Sequence, residues 1–137
     1  MKALNILIGI FFVLFLATAC ASGPIKLPEK YSFDNELQEA EGITNFKIDS
    51  WQSIDMQSLI IRTINRDYYL IVLDRPAPSL FSRETIGVTL TVDRVKPGFD
   101  NIIVTDSAGS ESYIIYKMYK LKDRGQAKEI RERLLKS

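Results

Sequence analysis

Apolar residues run almost unbroken from Ala3 to Ala19, thin out over residues 21–42, recur in short segments up to Leu121, and finally return at helical spacing. Each rhythm predicts a different element. In the third region Ile43 to Trp51 is a candidate strand with Phe46 and Ile48 on one face, and Ser58 to Ile64 is a second. Asn65-Arg66 is a tight turn, and Asp67 to Leu73 (DYYLIVL) is apolar on both faces, as a central covered strand is. These two strands form the clearest hairpin. Asp74-Arg75-Pro76-Ala77-Pro78 ends the ladder, because proline lacks the amide donor, and a helical turn over Ser79 to Arg83 fits after it.

Thr85 to Asp93 alternates, with Ile86, Val88, Leu90 and Val92 inward and Gly87, Thr89 and Thr91 outward, which predicts one half-buried strand. Lys96-Pro97-Gly98-Phe99 carries proline and glycine at type II turn positions. Asn101 to Thr105 and Glu111 to Leu121 complete the strands, joined by a loop over Asp106 to Ser110. The last segment changes period: Asp123 with Gln126 is a capping box, Ala127, Ile130 and Leu134 share a face, and Glu129 and Arg133 are spaced as an i,i+4 pair. Arg131, Arg133 and Lys136 suit the negative end of the helix dipole. The predicted fold is mainly β: a small antiparallel curved sheet or barrel of five to six strands with a C-terminal α-helix that closes one opening or shields an edge.

The first rhythm is a targeting pattern. A positive start at Lys2, the apolar run, and Leu16-Ala17-Thr18-Ala19-Cys20 at its end have the layout of a bacterial secretory signal. Cleavage between Ala19 and Cys20 leaves Cys20 as the first residue of the mature chain, and a cysteine there is the mark of a lipoprotein. An ordinary A-x-A site cuts the same bond, so only the fate of the Cys20 thiol separates the two readings. An uncleaved membrane helix fits less well, because Asn5 interrupts a run that is short for a span of roughly 20 residues. Lipidation gives a purpose to an otherwise unpaired thiol in an oxidising compartment. Two or three acyl chains hold such a protein permanently. With Ala21 after the cysteine, the expected location is the outer membrane, facing the periplasm. The chain then divides into a signal (residues 1–19), a lipidated N-terminus and flexible linker (residues 20–42), and a β domain with its helix (residues 43–137). Within the linker, Tyr31 and Phe33 can instead pack as an edge element, and Leu37 and Ala40 can sit on a short helical turn.

Charge and composition then narrow the chemistry. The chain is close to neutral at +1, which gives no electrostatic case for nucleic acid. The stretch from Asp34 to Glu41 is acidic and the end from Lys117 to Lys136 is basic, so the tail can touch anionic head groups or simply be a solvated helix face. There is no histidine, and Cys20 is the only cysteine. Histidine-based triads, histidine or thiolate metal sites and an internal disulfide are therefore excluded, and no cofactor or metal is expected. Asp55, Asp74, Asp93, Asp100 and Asp106 fall at strand ends. Two of them converging in a cleft would make a hydrolase pair, but turns select aspartate in any β protein. With no phosphate loop and no nucleophile elbow, the expectation is a protein without catalytic activity. The candidate binding surface is aromatic: Trp51, Tyr68, Tyr113 and Tyr119, with Tyr113 and Tyr119 on the same face of their strand, to be weighed against plain core packing.

Several segments together resemble a known family. They are Trp51-x-x-Ile54-Asp55, Ser58-Leu59-Ile60-Ile61, Arg66-Asp67-Tyr68-Tyr69-Leu70-Ile71-Val72-Leu73, Pro78-Ser79-Leu80 with Ile86, Asp93-Arg94-Val95, and Tyr113 through Leu121. The chain resembles a family of small proteobacterial proteins classed as a domain of unknown function, many of them predicted lipoproteins. The resemblance implies the same fold and compartment and brings no catalytic residue. It also implies a pair of cysteines, one before the leucine-containing turn and one in a later strand, where this chain has Ala77-Pro78 and Glu111-Ser112. If that pair is a disulfide, its loss would loosen two loops and leave the core intact.

The functional expectation is a lipid-anchored module that binds an envelope protein or serves as an accessory subunit. The alternative is a barrel that binds a small ligand or glycan.

Overall fold

The hairpin of Ser58–Thr63 and Tyr68–Leu73 is the structural centre, and its sequence accounts for its position. In this computed structural model, which describes residues 26–81 and 85–137, the strands in chain order are β1 (Gln38–Glu39), β2 (Ile43–Thr44), β3 (Ile48–Ser53), β4 (Ser58–Thr63), β5 (Tyr68–Leu73), β6 (Thr85–Val88), β7 (Arg94–Val95), β8 (Asn101–Asp106) and β9 (Gly109–Leu121). One α-helix, α1 (Arg124–Leu135), follows. The main sheet is antiparallel in the order β3-β4-β5-β9-β8-β6, with β1 added to β9, while β2 and β7 form a separate two-stranded ribbon. The sheet curls so far that side chains of β4, β5, β6, β8 and β9 meet in one inner cluster, yet no strand pairing among the described residues joins β3 to β6. The expected signal, with Ala19 and Cys20, lies outside the described residues.

Along β5 the side chains alternate between two cores. Tyr69, Ile71 and Leu73 enter the inner cluster with Leu59, Ile61, Ile102, Val104, Ile115 and Met118. Leu70 and Val72 point outward to a second cluster with Ile60, Tyr119, Leu121, Ala127, Ile130 and Leu134. A strand buried on both faces must be apolar at successive positions, as DYYLIVL is. The helix begins where its cap predicts: Asp123 Oδ1 accepts from the Gln126 amide at 2.8 Å, and Gln126 Oε1 accepts from the Lys122 amide at 2.7 Å. Its three buried residues, Ala127, Ile130 and Leu134, cover the outer face of the sheet. Arg133, expected to pair with Glu129, instead forks Glu36 with both terminal nitrogens, at 2.6 and 2.8 Å. Among the described residues no helix is long and apolar enough to cross a membrane.

Four expectations need correction. The second half of the expected linker is part of the folded body: Tyr31, Phe33 and Leu37 are buried, because the outer face of β5 and β9 is apolar and needs a cover beyond the helix, and Ala40 is buried in the inner cluster. The strand expected from Ile43 to Trp51 breaks at Asn45, whose φ of 53° lies in the left-handed region, so β2 leaves to pair with β7. The strand expected from Thr85 to Asp93 stops at Val88. Leu90 is 48% exposed and Val92 87% exposed, because residues 91–94 fold back as a two-residue turn with Val92 at φ 52° and Asp93 at φ 59°. The loop expected over Asp106 to Ser110 shrinks to Ser107-Ala108, since Asp106 Oδ1 accepts from the amides of Ala108 and Gly109. The turn at Lys96–Phe99 has the expected geometry, with Gly98 at φ 84° and the Phe99 amide bonded to the Lys96 carbonyl at 3.2 Å.

Candidate functional site

The four aromatics singled out in the sequence separate into two pairs. On β9 the register against β5 slips by one residue: Val72 faces Lys117 while Leu73 faces Ile115, leaving Tyr116 as the extra residue of a bulge. A one-residue insertion reverses which face every later side chain takes. Tyr113 therefore joins the inner cluster and Tyr119, fully buried, joins the outer one. The expectation that they share a face is wrong for that reason, and neither offers a stacking surface. The Tyr119 hydroxyl donates to Asp34 Oδ1 at 2.8 Å, and its ring meets Phe33 edge to face at 5.8 Å, so it clamps the N-terminal segment. Burial and the Asp34 bond both raise its pKa. The Tyr113 hydroxyl donates to Glu111, under the guanidinium of Arg75.

Trp51 and Tyr68, both half-buried, border one groove from opposite faces of the sheet edge: Trp51 lies opposite Ile61 and packs against the inner cluster, whereas Tyr68 lies opposite Arg62 and packs against the outer one. They line an open groove of about 900 Å³ between the outer face of the β3–β4–β5 edge and α1. Its floor includes Ile54 and Ile60, its edge strand contributes Ser50, Gln52 and Ser53, and Phe81 and Leu135 lie at its rim. Four cations line it: Arg62 from β4 and Arg124, Lys128 and Arg131 from the helix, with no carboxylate among the described lining residues. The helix positions 124, 128, 131 and 135 follow the i, i+4, i+7 repeat, so they form one stripe along the groove. Asp49 takes Arg62, accepting from Nε at 2.8 Å and lying 2.5 Å from Nη2. Among the described residues no carboxylate pairs with Arg124, Lys128 or Arg131, and the buried Nε of Arg131 has no acceptor. Like charges at i,i+4 weaken a helix, so the stripe is a cost that the outer core must offset. The sequence reading took Arg131 for a dipole partner and missed the stripe; the 124/128/131 spacing beside Leu135 was its signal.

The five aspartates sit apart, and four of them serve the backbone. Asp55 closes the β3–β4 turn: its Oδ1 accepts from the Gln57 amide at 2.8 Å and the Ser58 hydroxyl at 2.9 Å, and its Oδ2 from the Tyr31 hydroxyl at 2.7 Å and the Lys30 ammonium at 3.0 Å. Burial pushes its pKa up, but these four donors outweigh burial and hold the carboxyl below the usual range. Asp100, 2% exposed, accepts from the hydroxyls of Thr89 and Thr91 and from the Lys96 amide, pinning residues 89–96. Asp74 accepts from the Ile114 amide at 3.0 Å, and Asp106 holds its own turn. Asp93 occupies the exposed turn beside Val92. No group of three or more acidic or cysteine side chains among the described residues forms a metal cage.

The two segments where the resemblance implied paired cysteines do lie together. Ser79 Oγ bonds Glu111 Oε2 at 3.3 Å, and Arg75 Nη2 donates to the Ser112 carbonyl at 2.8 Å. Polar ties thus join the loops that a lost disulfide was expected to loosen.

Fold and groove together define a small curled-sheet protein with a solid interior and a basic surface cleft. The chain belongs to a family of unknown function (DUF6491), whose profile matches residues 2–136. No curated protein and no solved structure matches it.

Proposed function

We propose that this protein is a lipid-anchored envelope module, attached to the outer membrane through Cys20, facing the periplasm, and working by binding an envelope partner as an accessory subunit. The observation that carries the binding reading is the filled interior: Leu59, Ile61, Ile71, Leu73, Leu80, Ile102 and Ile115 pack it with no exposed surface, so recognition belongs to the outside of the sheet. The same packing counts against the alternative, a ligand held inside the barrel. The anchor reading rests on Lys2, the apolar run and Ala17-Thr18-Ala19-Cys20. Cys20 stands six positions before Lys26, where the described body begins, so its reach is at most about 20 Å. The N-terminal segment packs with α1 in the outer cluster, and a tether this short would bring that side towards the bilayer rather than keep it clear.

The test has two readouts. Labelled palmitate should enter the wild-type chain and not Cys20→Ala, and labelling of neither would end the anchor reading. In-cell crosslinking with affinity purification should capture one dominant envelope protein, lost or weakened with Cys20→Ala. Capture of no specific partner by either chain would end the accessory-subunit reading.

A further inference from the structure

We infer that the groove between α1 and the outer face of the β3–β4–β5 edge is a binding site for a phosphate-bearing anion, held by Arg124, Lys128 and Arg131 against a wall formed by Tyr68, Ile54 and Ile60. Three observations converge on this ligand chemistry. The cations form a single helical stripe about 10 Å long from position 124 to 131 along one side of the concavity. No described carboxylate lines the cleft, although Glu129 and Glu132 stand elsewhere on the same helix and Asp49 is spent on Arg62. The Nε of Arg131 is buried with no acceptor among the described residues, and a guanidinium in that state is satisfied by an oxyanion. Phosphate oxygens suit such a set better than a single carboxylate does, because several donors can share one multiply charged group. The apolar floor at Ile54 and Ile60 accommodates the body of an amphiphilic ligand.

The phosphate can come from a bilayer headgroup or from a soluble compound, and the site chemistry is the same for both. This inference goes beyond the accessory-module reading and does not depend on the anchor at Cys20.

Trp51 is the only tryptophan in the chain and borders the groove from β3 while packing against the inner cluster, so its emission is followed beside the calorimetric heat, which reads binding directly. The full chain in non-ionic detergent is titrated with pyrophosphate in one arm. In the other it is titrated with short-chain phosphatidylglycerol against the zwitterionic phosphatidylcholine, and calorimetry follows the same titrations. The expected result is saturable binding in at least one arm, weakened at least tenfold in Lys128→Gln/Arg131→Gln. Lys122→Gln/Lys136→Gln, which removes the same charge outside the groove, should bind within about twofold of wild type. Saturation by pyrophosphate alone assigns a soluble source, and saturation by phosphatidylglycerol alone a headgroup source; either supports the site. No saturable signal by fluorescence or heat in either arm, or equal weakening in the control variant, overturns it. Running the titrations in the Cys20→Ala background leaves the expected result unchanged, so failure of the anchor and failure of the groove are read separately.

Discussion

Asp55 shows how a single side chain can join two distant parts of this fold. Its carboxylate closes the turn between β3 and β4 and at the same time receives the hydroxyl of Tyr31, 24 residues earlier in the chain. Tyr31 is itself held protonated, since burial and the Asp55 carboxylate raise its pKa well above the usual tyrosine range. Tyr31→Phe removes a charge-assisted bond and should cost about 1–2 kcal/mol at pH 7, read by urea denaturation. The pH dependence has a definite sign. Asp55 is more acidic folded than unfolded, so its contribution is complete above the unfolded value of about 3.9 and is lost as pH falls through the folded value. Losing the Tyr31 donor moves the folded value upward, so the gap between wild type and variant should be largest near neutrality and shrink below about pH 4. A gap that stays constant across that range would show that Asp55 does not couple to Tyr31.

At the scale of elements, legibility depended on whether the signal was local. The β4–β5 hairpin and α1 were readable because their periodicity and cap lie within the segments themselves, at Tyr68–Leu73 and at Asp123 with Gln126. The bulge at Tyr116 was not readable, because it exists only relative to Val72 and Leu73 on another strand. The turn after β6 failed for a different reason. Thr91 and Arg94 exchange both backbone bonds, at 2.8 and 3.2 Å, around two residues with positive φ. That geometry selects Asn-Gly, but the chain places Val92-Asp93 there, so the sequence kept the look of a strand. A β-branched residue in the left-handed region is strained by about 1–2 kcal/mol. Val92→Asn/Asp93→Gly should therefore raise stability by about 1 kcal/mol in denaturant titrations, and a loss of stability would mean that the turn is held by contacts of the Val92 side chain. The groove was half-legible: Tyr68 was named, while the helix cations opposite it begin 56 positions later at Arg124, and only tertiary packing brings the two together.

For the whole molecule, the decisive feature is a sheet with a core on each face. The N-terminal segment belongs to the outer core as much as the helix does, because Phe33, 1% exposed, packs on Tyr119. Phe33→Ala should cost about 3–5 kcal/mol, the range for a buried aromatic, measured by chemical denaturation. A cost below about 1 kcal/mol would return that segment to the role of a loose tether. One further consequence follows from the position of β9. This strand pairs with β1, β5 and β8, and it and the helix that completes the outer core are the last parts of the domain in chain order. While the ribosome is still making the first hundred residues, the polypeptide has hairpins but nothing to join them. Closing the sheet must wait until Gly109–Leu121 has been made, so the hairpins that form earlier stay undocked for much of the synthesis.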